Sequence, residues 1–276
     1  MKLLPLFLLA MFSSVVAGES TEPPVVWNNP DREPFPGLEH RSFRSSAIGA
    51  EVGYNVYLPS GYETTDQRYP VIYFLHGATG NENSDAPAFA GLVARAIEQH
   101  SIPAVICVFP NGGPRSGYRD HPEGKVLVES MIVQELVPLV DRTFRTQPAS
   151  TARVVVGFSM GGAGAARFAL KFPEVFSAAG SWAGAYRFRS QPENTLPSDY
   201  AVTALAPLAN RVRLLLVVGT EDSTLSSHPP LLANLIEAKF PFEFELLAGV
   251  AHDPGAYYQA SGEKMLRFLT ADFSKR

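Results

Sequence analysis

The sequence predicts one α/β domain with a mainly parallel central sheet flanked by helices on both faces. Continuous apolar runs of strand length, bounded by Pro and Gly, recur along the chain. Such runs are strands buried on both faces, the condition of parallel strands under helices. Between them lie helix-length segments whose apolar residues recur about every 3.6 positions. Size sets the remaining bound: 276 residues, 46% of them hydrophobic, suffice for one large core. No internal repeat, low-complexity tract or inter-domain linker divides the chain.

The elements follow in order. Lys2 precedes an apolar run, Leu3 to Phe12, that is too short to span a bilayer, and small residues follow at Val15 and Ala17. This pattern predicts a signal peptide over residues 1–17, cleaved after Ala17, and a secreted or periplasmic product with no stable membrane insertion. Residues 18–46, rich in Pro, Glu, Asn and Ser, read as an N-terminal arm, and residues 47–276 as the domain. "EVGYNVYLP" (Glu51 to Pro59) alternates and predicts an edge or half-exposed strand. "YPVIYFLHG", "PAVICVFPNGG", "ARVVVGFS" and "RVRLLLVVGT" predict buried strands, and "FEFELLAG" predicts a strand without the continuous apolar character. Helices are expected at "PAFAGLVARAIEQH", "KVLVESMIVQELVPLVDRTF", "MGGAGAARFALKF", "LLANLIEAKF" and "YYQASGEKMLRFLTADF". Arg187 to Asn210 reads as a surface excursion with one short helix.

Composition narrows the function classes. The 23 basic and 27 acidic residues give a net charge of −4 with neither sign gathered into a run, so nothing favours nucleic acid or an anionic membrane as partner. Cys107 is the one cysteine, which excludes an intramolecular disulfide and a four-cysteine zinc site. Its apolar neighbours make it a small buried hydrophobe.

The informative stretch is "VVVGFSMGGAGAARFAL" (Val154 to Leu170), where a β-branched run passes through Gly157-Phe158-Ser159-Met160-Gly161 directly into a helix. A serine at so sharp a strand-to-helix turn crowds its neighbours, so positions 157 and 161 must be small. The turn projects the hydroxyl above the sheet edge and sets a helix N-terminus behind it, which favours developing negative charge. No lysine follows as in a phosphate-binding loop. The serine needs a base, and the sequence holds six histidines: His40, His76, His100, His121, His228 and His252. In the order Ser, acid, His, each partner follows a later strand; His252, between "FEFELLAG" and the last helix, fits the base, whereas His228 before two prolines reads as a surface residue. Asp222, in the loop after "LLLVVG", fits the acid, with Glu221 its alternative; Asp253 and Asp199 are less well placed. His76-Gly77 opens a loop able to aim the Ala78 N–H inward, with Met160 N–H as second oxyanion donor and His76 as a brace. Trp182, Tyr186, Tyr118 and Tyr257 are either lining for an aromatic-accepting cleft or, more commonly for such residues, core. Arg115 and Arg119 are either contacts for a carboxylate or sugar hydroxyl or solvated loop charges.

These motifs together resemble the putative esterase family of α/β-hydrolases, which includes feruloyl esterases, acetylxylan-type esterases, S-formylglutathione hydrolase (esterase D) and mycolyltransferases. The likeness spans residues 50 to 270 and rests on "YPVIYFLHGATGNENS", "FPNGG", "GKVLVESMIVQELVPLVDRTFRT", "GFSMGG" followed by "ALKFPEVF", "VVGTED" and "AHDPGAYY". It implies the α/β-hydrolase fold, a Ser159–His252–Asp222 triad and oxyanion donors at Ala78 and Met160. It also implies hydrolysis of small-molecule or polysaccharide-linked esters, of feruloyl, acetyl or other short acyl groups, with no metal or organic cofactor. Acyl transfer to an alcohol, and a binding protein that keeps the fold without turnover, are the competing expectations.

Overall fold

The computed structural model describes residues 25–31, 34–187, 198–208 and 211–273. The signal peptide expected over residues 1–17 lies outside them. The strands are β1 (Leu38–Arg44), β2 (Glu51–Tyr57), β3 (Val71–Leu75), β4 (Ile106–Pro110), β5 (Arg153–Phe158), β6 (Ala178–Trp182), β7 (Arg213–Gly219) and β8 (Phe242–Leu247). They form one eight-stranded sheet in the order β1-β2-β4-β3-β5-β6-β7-β8. β1 and β2 pair antiparallel with each other, as do β2 and β4; every pairing from β4 to β8 is parallel.

The buried runs behave as their composition requires. Val71, Tyr73 and Leu75 of β3 point into one core cluster, and Ile72 and Phe74 into the other, so alternate side chains serve opposite faces. Each fully buried aliphatic or aromatic side chain contributes about 1.5–3 kcal/mol. The first cluster lies under the helices that begin at Val128 and Met160, the second under α1 (Ala86–Glu98) and the last helix, α5 (Pro254–Thr270). α2 begins with α-helical Val128–Ser130, passes through a π-helical stretch, Met131–Leu136, and resumes as Val137–Thr143. Pro138 cannot donate to the carbonyl four residues back, and the ladder changes register just before it. α3 is Met160–Lys171 and α4 is His228–Glu237. No helix among the described residues is long and apolar enough to cross a membrane.

Three elements differ from expectation. β2 is interior rather than an edge: all its residues except Glu51 are buried. The sheet begins at Leu38, inside the segment expected to be an arm, because "LEHRSFR" covers β2's outer side. β6, "AAGSW", carries no β-branched residue to betray it. Its small side chains are a packing requirement: a Cβ on Gly180 would stand 2.2 Å from Met265 Sδ of α5. In the excursion from Arg187, the described part holds the short helix Val202–Leu205, and Tyr200 and Leu205 are buried in the core.

Candidate active site

Ser159 sits between β5 and α3 with φ 57° and ψ −115°, a conformation side-chain-bearing residues rarely adopt. The flanking contacts explain why it can be held. A Cβ on Gly161 would lie 1.9 Å from the Leu75 carbonyl oxygen, and one on Gly157 would lie 2.5 Å from Gly161. The turn exists only because two side chains are missing. Ser159 N–H donates to Trp182 O at 2.9 Å, and Ser159 O accepts from Ala163 and Ala185, which locks the strained residue from both sides.

The Ser159 hydroxyl lies 3.0 Å from His252 Nε2, and His252 Nδ1 lies 2.9 and 3.0 Å from the two Asp222 oxygens. With the ring proton on Nδ1 both contacts are satisfied: Nδ1–H donates to the carboxylate, and Nε2 accepts from the serine. Asp222 is buried after β7, and its oxygens also accept from Thr224 N–H and O–H at 2.7 Å and from Tyr257 O–H at 2.7 Å. Burial pushes its carboxyl upward, but the Thr224, Tyr257 and His252 hydrogen bonds outweigh this and hold it below the ordinary carboxylate range. Phe158 packs on the imidazole with ring centroids 4.7 Å apart.

Ser159 and His252 open into a pocket of about 370 Å³ lined also by Gly77, Ala78, Thr79, Gly80, Ser84, Asp85, Phe158 and Pro254. Gly77 passes close to the serine, since a Cβ on it would stand 3.7 Å from Ser159 Cβ. Met160 is the first residue of α3, where an N–H has no intrahelical acceptor. The arrangement presents a hydroxyl, a base and a helix N-terminus at the carboxyl end of parallel strands.

The sequence profile of the family described as Putative esterase matches residues 45–262. The chain belongs to this family. Among curated proteins, Esterase Rv1288 of Mycobacterium tuberculosis is 35% identical over 153 residues, 54% of this chain and 32% of that protein. An endo-1,4-beta-xylanase/feruloyl esterase of Xylanibacter ruminicola is 32% identical over 148 residues, 50% of this chain and 20% of that protein. The chain thus aligns with a third or less of the length of these relatives. A solved ferulic acid esterase superposes with a TM-score of 0.77 at 21% identity, covering 86% of this chain and 98% of that one. At that identity the likeness shows the fold, which is the α/β-hydrolase fold.

In this esterase-family chain the alternatives to Asp222 are occupied elsewhere. Glu221 is exposed; Asp253 caps α5 by accepting from Ala256 N–H; Asp199 pairs with Arg167 and Arg119. His76 is buried and braces its loop: one ring nitrogen contacts Gly77 O at 2.7 Å, and Nε2 accepts from Gly112 N–H at 3.0 Å. Burial holds its imidazole down at about 4, against an opposing contribution from the Gly77 carbonyl. His228 corrects the sequence reading. It is fully buried at the first position of α4, its Nδ1 3.1 Å from Thr224 O and its ring against Tyr186. The two prolines that suggested a surface loop instead fill the helix's first turn, where a missing N–H costs nothing.

Trp182, Tyr186, Tyr118 and Tyr257 are all fully buried, and none lines the pocket. Tyr257 instead touches the site from behind, donating to Asp222 while accepting from Gly219 N–H at 2.7 Å. No local pattern around Tyr257 signals this role, whereas Thr224 is legible in "EDST" as the partner of an aspartate-led turn. Arg115 and Arg119 line a different pocket, with His121 and Lys171.

Proposed function

We propose that this chain is a serine carboxylic-ester hydrolase acting through an acyl-enzyme, with Ser159 as nucleophile, His252 as general base and acid, and Asp222 as its orienting carboxylate. The observation that carries the reading is the hydrogen-bond succession from Ser159 Oγ through the imidazole to buried Asp222. The serine proton passes to His252 Nε2 as Oγ bonds to the ester carbon. The carbonyl oxygen becomes an oxyanion, received by the N–H groups of Ala78 and Met160. As the C–O bond breaks, His252 returns its proton to the departing alkoxide. Water repeats the sequence and releases the acid.

Short acyl groups are the preferred substrates in this reading, acetyl ahead of feruloyl. Phe158 supplies the one phenyl, phenol or indole ring among the described pocket residues, and it is already packed on His252. The apolar leader supports action outside the cytoplasm. Hydrolysis of 4-nitrophenyl acetate, butyrate and decanoate, methyl ferulate and acetylated xylan, run beside Ser159→Ala, tests the proposal. The substitution should leave the fold intact and lower kcat by about 10⁴-fold or more. Retention of the parental rate would overturn the role of Ser159. An acceptor alcohol included in the assay separates hydrolysis, which yields only free acid, from acyl transfer.

A further inference from the structure

Glu82 is a fully buried carboxylate side chain four residues beyond Ala78, and none of the proposed chemistry uses it. Its oxygens gather donors from distant parts of the chain. Asn29 N–H reaches Oε1 at 2.5 Å, Asn29 Nδ2 reaches Oε2 at 2.9 Å, and Asn111 Nδ2 reaches Oε2 at 2.8 Å. His40 Nε2 lies 3.4 Å from Oε1. Around this centre the backbone is interlocked. Asn55 Nδ2 donates to Glu82 O and Asn83 Oδ1, and Asn83 Nδ2 donates to Asn29 O and Asp31 O. Asn111 Nδ2 also donates to Val26 O, and Gly53 N–H to Trp27 O. Thr79 N–H donates to Pro114 O at 2.6 Å, so the residue next to Ala78 is tied to the loop that Asn111 begins.

Three irregular segments therefore meet: the strap 25–31, the turn 111–114 and the loop 76–85. The loop has no strand or helix of its own to set its path. Glycine at position 53 is part of the fit, since a Cβ there would stand 2.1 Å from Glu82 Oε1. We infer that Glu82, clasped by Asn29 of the strap and Asn111 of the turn, is a positioning residue for turnover: it fixes the loop so that Ala78 N–H faces the oxyanion. The inference rests on the proposed oxyanion role of Ala78. A donor displaced by about 1 Å loses much of its effect on the transition state while leaving ground-state binding nearly unchanged.

Glu82→Gln keeps the shape but sets an amide NH₂ against incoming donors. With 4-nitrophenyl acetate, kcat should fall about 10- to 100-fold with KM within about twofold. Inhibition by a trifluoromethyl ketone, which forms a hemiketal oxyanion on the serine, should weaken by a similar factor. Asn29→Ala, which removes one side-chain donor from the strap, should show the same split on a smaller scale if Glu82→Gln does not fold. Circular dichroism establishes that the compared proteins are folded. Unchanged kcat and unchanged ketone inhibition in a folded variant would overturn the positioning role, as would a change confined to KM. A parent protein that neither hydrolyses esters nor is labelled at Ser159 by a phosphonate would instead overturn the hydrolase reading, and this inference with it.

Discussion

The two walls of the pocket are held by opposite means. The serine wall is a strand-to-helix turn fixed by missing side chains: Gly157 and Gly161 let backbone approach backbone, and hydrogen bonds to Trp182, Ala163 and Ala185 close it. The facing wall, residues 76–85, is fixed by side chains that are present, with His76, Glu82 and Asn83 each bonded to another segment. A wall built on excluded volume fails all at once, because a clash with backbone cannot be shared out. A wall built on hydrogen bonds fails by degrees, each lost partner costing about 0.5–1.5 kcal/mol, or more where a buried group is stranded.

The sharpest way to break this contrast is Gly161→Ala. A single methyl group would meet Leu75 O at 1.9 Å and press toward His76 O, so β3, β5 and α3 must separate to admit it. The expected outcome is a loss of about 4 kcal/mol or more, read as failure to fold or a large fall in urea midpoint. Activity should vanish with the fold. Ser159→Ala, two residues away, should leave the midpoint nearly unmoved. Near-parental stability of Gly161→Ala would remove the excluded-volume account of the serine wall.

The same contrast explains what was legible in the sequence. "GFSMGG" records missing side chains directly as glycines, and the β5–α3 turn can be read from it. The partners His252 and Asp222 follow from strand order, because Asp222 stands just past the buried run of β7 and His252 just past the half-exposed edge strand β8. The loop wall leaves no such record. Glu82, Asn29, Asn55 and Asn111 are ordinary polar residues whose convergence depends on the β1–β2–β4 side of the sheet, where the composition of β1 and the strap reads as an arm. Burial of His228 was hidden for a related reason: its position depends on packing against Tyr186 rather than on any local pattern. β6 was hidden because close contact with α5 selects small residues, which carry little strand preference.

Tyr257→Phe sharpens the comparison from behind the triad. It removes one donor to Asp222 and the acceptor for Gly219 N–H, leaving the strand-end amide unpaired. A stability loss of about 1–3 kcal/mol and a fall in kcat of about tenfold are expected. The hydrogen bond favours the charged carboxyl, so its removal lets the Asp222 pKa rise. The acid limb of the pH–rate profile should therefore move to higher pH. A limb that stayed in place with an unchanged rate would show that Thr224 and His252 alone fix Asp222.

A further effect, absent at neutral pH and confined to acid, separates the walls. His76 is 2% exposed and its folded-state value is depressed from 6.5 to about 4. Below about pH 6.5 the unfolded chain takes up a proton that the folded protein refuses until about pH 4. This residue's stabilising contribution is therefore complete above that window and declines through it as pH falls, by about 3 kcal/mol in all. Burial is the cause of the depression, and a proton on Nε2 would in addition turn the acceptor of Gly112 N–H into a second donor. Buried His228, also depressed, adds a decline of the same sign, whereas Asp222 loses its contribution only below the ordinary carboxylate value of 3.8. His76→Gln can still accept from Gly112 but does not titrate. It should be less stable than the parent at pH 7, and the difference should narrow as urea midpoints are followed down to pH 4. Parallel curves would mean that the loop wall is no more acid-labile than the glycine-built wall facing it.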